Sequence, residues 1–553
     1  MPNFIETMFA QLQRAGSRVV LREVRDGKFF DITGTELLQQ VRKIRSYLRA
    51  SGLQPGDRCA LLGSNSIHWA AFDLALMAEG IIVVPLYSRQ AAAELATMMR
   101  DCQARLLIAS DVALRDAVAQ ALPDSPPAIL FDQALQHASA DTTVADAPIS
   151  RVDSDLVTII YTSGTSGEPK GVCLNIGNLT HMVGCTSERL DQLMGSRNEP
   201  DHVFHYLPLN FAGSWILLLT CFSRDSVLTL STDLNKLVDE LGLAAPNYFL
   251  NVPTLLERVR RGVEDNISKQ NVLIRSLFAR SRDAWQRQHV GRGQTFDNLW
   301  VSFGRKLIFN RIAARFGPNL RALICGSAPL VPETQQFFLM LGIPVLQVYG
   351  LTETTGICTM DDPRAPVEPG YVGVSISGIE MKLGENEEIV VKGPNVFPGY
   401  WNRPEETARV LQNGWFHTGD QGEVNVRGNW RISGRLKNLI ILNSGHNIAP
   451  EPIEEKIVQY LPTAQQIVLV GNGRGYLCAL VGGPVQASAV QAAFDKVNPE
   501  LPHYRQLRKF SLIAETFTPE NGLLTANGKL RRDAINKRFS AEIAAMYDGT
   551  NTK

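Results

Sequence analysis

The chain has 553 residues, too many for one compact core, so two or more domains are expected. Hydrophobic residues make up 44% and charged residues 20%, the proportions of a folded globular protein. Lys and Arg (55) balance Asp and Glu (55), which argues against nucleic acid as the main partner, because such a binder needs a basic field. The eight cysteines are scattered and no pair has CxxC spacing, which speaks against a disulfide framework or a structural zinc site and for a reducing, cytoplasmic setting. The N-terminal residues lack the basic start and apolar run of a signal peptide. The most apolar runs, Ile81–Leu86 and Ile216–Phe222, fall far short of the roughly 20 residues that span a bilayer.

In chain order, strand and helix patterns alternate. Cys59–Leu62 reads as a strand, and Ile67–Glu79 as a helix with Trp69, Phe72, Leu76 and Met77 at helical spacing. Ile81–Pro85 suits a buried strand, Ala91–Cys102 a helix and Arg105–Ala109 a further strand, an order that predicts a parallel sheet with helices on its faces. Pro123–Pro127 and the small polar residues up to Ser150 read as connecting loop. A second cycle starts at the strand Leu156–Tyr161 and runs past Leu320. Beyond Gly378, Glu388–Lys392 and Gly422–Ile432 read as short strands of a small antiparallel or barrel-like unit. A third region from about Gly434 carries strands near Leu439–Leu442 and Ile467–Val470, and helices near Pro452–Tyr460 and Gln486–Lys496.

The most informative stretch is Tyr161-Thr-Ser-Gly-Thr-Ser-Gly-Glu-Pro-Lys-Gly-Val172. Glycines let backbone N–H groups turn toward a bound anion, the hydroxyls of Thr162, Ser163, Thr165 and Ser166 add donors, and Lys170 adds a charge. It is not a Walker A loop, because Pro169 precedes Lys170 and Gly171 follows it. This stretch resembles the signature loop of the adenylate-forming superfamily of acyl-CoA synthetases, nonribosomal-peptide adenylation domains and luciferases. Companion motifs follow in the family's order and carry the resemblance over nearly the whole chain: Gly326-Ser-Ala-Pro-Leu330, Tyr349-Gly-Leu-Thr-Glu-Thr354, Gly414-Trp-Phe-His-Thr-Gly-Asp420, Ser433-Gly-Arg-Leu-Lys-Asn438 and Leu524-Thr-Ala-Asn-Gly-Lys529.

The resemblance implies an α/β fold: a large N-terminal domain (1–433) of parallel-type sheets with helices plus the barrel-like β unit, and a small mobile α+β C-terminal domain (434–553). It implies an enzyme that uses ATP and Mg²⁺ to convert a carboxylic acid to its AMP ester and then passes the acyl group to a thiol. Thr162, Ser163, Gly164, Thr165, Ser166, Gly167 and Lys170 would grip the phosphates. Gly326, Ser327, Ala328 and Pro329 would lie along adenine, with Tyr349 and Gly350 beside it. Thr352 would touch a phosphate, and Glu353 with Thr162 would hold Mg²⁺. Asp420 would bind the ribose and Arg435 the nucleotide, and Lys437 falls on the hinge position. Lys529 would be the catalytic lysine that the mobile domain delivers. Gly445, in Asn443-Ser-Gly-His-Asn447, would let the backbone pass close to pantetheine in the thiol channel.

For the acid, Tyr206–Trp215 aligns with a segment in which the family usually has His where this chain has Phe211. Trp215 reads either as an indole gating an apolar tunnel or as a core aromatic. The stretches Gly445–Glu454, Leu523-Leu-Thr525 and Leu341-Gly-Ile-Pro344 most resemble long-chain fatty acyl-CoA ligases. That implies a medium- to long-chain fatty acid, with CoA as acceptor or, alternatively, an acyl carrier protein. The basic, aromatic stretch Arg275–Arg315 reads either as a peripheral contact with anionic membrane or as a solvated face. A non-catalytic nucleotide-binding protein is the alternative of a different class.

Overall fold

The computed structural model describes residues 2–137, 146–163, 169–196, 199–231, 233, 235–289, 291–518, 520–525 and 528–548. Two large sheets organise the N-terminal part. The first has seven strands in the order Gly399–Tyr400, Pro169–Asn175, Leu156–Ser163, Ile82–Leu86, Arg58–Leu62, Leu106–Ala109, Ala128–Leu130. Its last four strands, with Leu156–Ser163, run parallel, as the strand–helix alternation predicts. The second has nine strands, with Val345–Tyr349, Ala322–Cys325, Tyr248–Asn251, Asp201–His205 and Ser226–Leu230 forming its parallel centre.

The helices Ile67–Ala78 and Ala212–Ser223 are apolar almost all round, and nearly every residue in them is buried. A helix without a polar face must lie inside. Both belong to one core that takes Cys59, Val83 and Ile160 from the first sheet and Val203, Leu228 and Leu346 from the second.

Residues 123–150 depart from the loop expected there. Ala128–Leu130 adds an edge strand parallel to Leu106–Ala109, and Phe131–His137 is a helix. The anchor is Phe131, 3% exposed, whose ring stacks on Phe72 at 5.0 Å. A single aromatic with a partner 59 positions upstream leaves no periodic signal. Gly422–Ile432 likewise divides into a hairpin of Trp415–Val424 and Trp430–Arg435, because the Asn425 side chain accepts from Arg427 and Asn429 and tightens the turn. All eight cysteines are buried and free.

The C-terminal part builds its own cores around the sheet Gln466–Val470, Leu477–Gly482, Leu507–Ile513, flanked by the helices Glu451–Tyr460 and Ala487–Val497. The strand Leu507–Ile513 and the helices Arg532–Arg538 and Ser540–Tyr547 were not anticipated from the sequence. Among the described residues no helix is long and apolar enough to cross a membrane.

Candidate active site

The glycine-hydroxyl segment joins two antiparallel strands, and the register pairs Thr162 with Lys170. Lys170 therefore stands on the returning strand, held at a fixed offset from Thr162 by the ladder. Gly164, Thr165, Ser166 and Gly167 lie outside the described residues, as does the side chain of Ser163. Tyr400 sits on the next strand, paired with Val172. Its ring centroid is 5.5 Å from the Lys170 ammonium, and its hydroxyl donates to Glu353 Oε1 at 2.8 Å. Lys170 also pairs with Glu406. Burial, with Arg409 and Arg403 nearby, pulls the Lys170 ammonium below its ordinary range, while Glu353 opposes the shift.

Opposite, two parallel strands end side by side. Gly326 follows Ala322–Cys325 and packs so closely that a Cβ there would lie 2.5 Å from Val348 Cγ2. Ser327, at φ +75°, turns the chain outward, and Ser327, Ala328 and Pro329 are exposed. The neighbouring strand ends at Tyr349. At Gly350 a Cβ would lie 2.5 Å from the Gly356 carbonyl oxygen and the Ile357 Cα, so the tight return through Thr352–Thr354 requires glycine. Thr352 and Glu353 are half-buried on this 3₁₀ turn.

Asp420 is 3% exposed and stands opposite Arg435 in the hairpin register. Arg435 Nε donates to Asp420 Oδ1 and Tyr349 Oη to Oδ2, each at 2.9 Å. Burial raises the Asp420 carboxyl above the usual range, opposed by Arg435, Tyr349, Lys529 and Lys437. Lys437 follows on the turn Leu436–Asn438; burial first, then Arg435 and Lys170, lower its ammonium, and Glu353 and Asp420 oppose.

Lys529 closes the arrangement from the C-terminal part. It lies on a tight hairpin: its N–H donates to Thr525 Oγ1 at 3.0 Å, its carbonyl accepts from the Thr525 N–H at 2.8 Å, and Gly528 has φ +78°. The residue is exposed to solvent, yet protein crowds the ammonium. That crowding and then Arg435 lower its ammonium, while Asp420 and Glu353 raise it. Two residues on, Arg531 Nη2 reaches Glu94 Oε1 of the N-terminal part at 3.0 Å, and Gln90 steadies the other Glu94 oxygen at 2.8 Å. Arg532 binds Glu451 and Glu454 within its own unit.

Lys170, Arg435, Lys437 and Lys529 thus converge on Glu353 and Asp420, with Glu406 on Lys170, four cations about three carboxylates. Such an excess suits a polyanion. Among the described residues no group of three or more His, Cys, Asp and Glu side chains is arranged to hold a metal. One carboxylate beside a hydroxyl does fit Mg²⁺, which takes few protein ligands when phosphates supply the rest.

The remaining candidates lie further out. Phe211 precedes the helix Ala212–Ser223, with its ring 5.6 Å from that of Tyr87. Trp215 is 0% exposed and donates its indole N–H to Asp73 Oδ2 at 2.8 Å. Next along the chain, Ile216 lies beneath Gly356, 3.5 Å from where a Cβ would stand. Gly445, at φ +81° with open space about it, turns the hairpin between Ile440–Ile441 and Asn447–Ile448, within the C-terminal part. Sequence reasoning missed Tyr400, Glu406 and Glu94. A Gly-Tyr pair at 399–400 was the only local signal for the first.

An AMP-binding enzyme model matches residues 8–401, and an AMP-binding enzyme C-terminal domain model matches residues 437–551. The chain belongs to the AMP-binding enzyme family. As a member it is an AMP-binding enzyme. Among curated relatives of this AMP-binding enzyme is the long-chain-fatty-acid–CoA ligase FadD15 of Mycobacterium bovis, 27% identical over 96% of this chain and 94% of that protein. Long chain acyl-CoA synthetase 1 of Arabidopsis thaliana is 28% identical over 94% and 88%. Among solved structures, o-succinylbenzoate CoA synthetase of Bacillus subtilis with ATP and magnesium ion shares the fold, at TM-score 0.74 and 20% identity over 96% and 98% of the two chains. The adenylation domain of a carboxylate reductase from Mycobacterium chelonae does so at TM-score 0.78 and 22% identity over 99% and 91%.

Proposed function

We propose that the protein activates a medium- to long-chain fatty acid as its acyl-AMP, releasing pyrophosphate, and then transfers the acyl group to CoA. The observation that carries this reading is the placement of Lys529 within electrostatic reach of Asp420, Glu353 and Arg435, across the boundary between the two parts. The names of the curated relatives support the fatty acid and CoA.

A carboxylate attacks the α-phosphate poorly because both carry negative charge. Lys529 would lie between them, orienting the attack and offsetting the charge that develops. Lys170 and the hydroxyls of residues 162–166 would hold the phosphates that leave. Glu353, with Thr162, would hold Mg²⁺, which supplies charge neutralisation. Asp420 is suited to accept from ribose hydroxyls, since Arg435 and Tyr349 fix both its oxygens. Ser327–Pro329, Tyr349 and Thr352 would flank the nucleotide, and Phe211 and Trp215 the acid.

For the second half-reaction, residues 434–553 would turn about Lys437, withdrawing Lys529 and bringing the Gly445 hairpin to a channel for the thiol. Pyrophosphate exchange with a panel of fatty acids tests the first step, and thioester formation with CoA or an acyl carrier protein tests the second. Exchange that peaks with medium- or long-chain acids and a CoA thioester product are expected. No exchange with any acid would overturn the reading, and transfer to carrier protein alone would replace CoA as acceptor.

A further inference from the structure

Between the strands Tyr248–Asn251 and Ala322–Cys325 the chain inserts a run of helices: Pro253–Ser268, Val272–His289 and Asp297–Gly304, the last continuing through a π-turn, Arg305–Phe309, into Asn310–Ala313. The Val272–His289 helix and the one after it form a packed hairpin. Ser281 Oγ donates to the Trp300 carbonyl at 2.8 Å, and the rings of Phe278 and Phe309 meet edge to face at 6.0 Å. One side of the second helix is sealed, with Val301, Gly304 and Ile308 buried.

The other side is apolar as well. Phe296 (69% exposed), Leu299 (51%), Phe303 (46%) and Leu307 (44%) recur at intervals of three, four and four residues, which places them on one stripe. Val272 (67%) and Leu273 (80%) are exposed at the start of the partner helix. Among the described residues seventeen large apolar side chains are exposed, and six of them fall on this one helical hairpin, four in a single stripe, which is a concentration and not the scatter normal for a surface.

Its surroundings are strongly basic. Residues 269–315 carry ten Lys and Arg against two carboxylates, a net of +8 in a chain whose total is zero. Both carboxylates are engaged within the hairpin, Asp283 by Arg282 and Asp297 by Arg287. Arg305, Lys306 and Arg311 are exposed on the same helical run as the stripe, and Arg280 lies 5.0 Å over the Trp300 ring.

We propose that this face docks on an anionic phospholipid bilayer. The stripe would enter the boundary between headgroups and acyl chains while the cations meet lipid phosphates. Symmetric pairing of two copies through this face would oppose two fields of the same sign, whereas an anionic surface neutralises the field. The inference goes beyond the proposed reaction and holds whichever acid the site accepts.

The test is sedimentation of the full chain with phosphatidylcholine vesicles, with and without phosphatidylglycerol, at low and high salt. Binding that requires the anionic lipid and weakens with salt is expected. Phe296→Ser/Leu299→Ser/Phe303→Ser should abolish it. Arg305→Gln/Lys306→Gln should weaken it by at least about ten-fold, since each cation near the surface is worth about a five-fold change in affinity. Both variants should keep wild-type pyrophosphate exchange with a soluble acid, so failure here is separable from failure of the catalytic reading. Absence of wild-type binding at low salt would overturn the proposal. So would equal binding by the variants, or a dimer in solution that the triple substitution dissolves.

Discussion

Replacing Asp73 by Asn should reverse sign in its effect on stability between acid and alkaline pH. Asp73 is 0% exposed; one carboxyl oxygen accepts from Trp215 and the other, Oδ1, has no hydrogen-bond partner among the described residues. Burial raises its carboxyl to about 7, opposed only by the indole hydrogen bond. In the unfolded chain an Asp ionises near about 3.9. Below that value both states are protonated and the group's stabilising contribution is complete. As pH rises the unfolded chain ionises first, while the folded chain must keep its proton, so the contribution is lost progressively up to about pH 7. Three units of difference correspond to about 4 kcal/mol lost between pH 4 and 8. The substituted amide would keep the acceptor for Trp215 without titrating, but its N–H groups would lie buried where Oδ1 now is, costing about 1–3 kcal/mol. Asp73→Asn should therefore be the less stable protein at pH 4.5 and the more stable by about 1–3 kcal/mol at pH 8. Denaturant midpoints of both proteins across that range give the difference directly, because other buried carboxyls, such as Asp361 and Glu455, titrate equally in each. A difference independent of pH would refute the reasoning.

Glu94→Ala removes the ion pair that ties Arg531, and with it the Lys529 hairpin, to the N-terminal part. At 22% and 30% exposure the pair is worth up to about 1 kcal/mol, so pyrophosphate exchange should fall about three-fold while thioester formation from supplied acyl-AMP is unchanged; equal loss in both steps would count against a latch. Tyr400→Phe deletes the hydroxyl that orients Glu353 and should cost roughly ten-fold in exchange together with a higher Mg²⁺ requirement, and an unmoved Mg²⁺ titration would detach Tyr400 from the metal site. Gly350→Ala places a Cβ against backbone that cannot yield, with an expected loss of about 1–3 kcal/mol in stability, read from the denaturant midpoint; unchanged stability would mean that the turn relaxes.

Much of this site could be read from the chain because its residues sit in short local motifs. The Gly350 turn, the Asp420–Arg435 hairpin and the Thr525–Lys529 hairpin each use neighbours no more than fifteen positions apart, and glycine marks the close approaches at 350, 422 and 434 and the positive φ at 528. Contacts across the fold were another matter. Tyr400 joins Lys170 to Glu353 only because a two-residue strand pairs with one more than 220 positions earlier. Glu94 meets Arg531 at a separation of 437 residues, and Trp215 meets Asp73 at 142. Nothing in the local spacing of Trp215 distinguishes a core indole from one at a substrate wall; its buried carboxylate partner emerges only when two helices pack. The edge strand at 128–130 escaped notice for a related reason, since three apolar residues among prolines carry too little periodicity to outweigh turn chemistry.

The central claim is that Lys529, carried by the C-terminal part, serves the adenylation step alone, and Lys529→Ala assayed in the two half-reactions separately is its most direct test. Losing a positioned cation should slow pyrophosphate exchange about 10²- to 10³-fold. Conversion of supplied acyl-AMP and CoA to the thioester should stay within a few-fold of wild type. Equal loss in both half-reactions, or exchange left near wild type, would contradict the account.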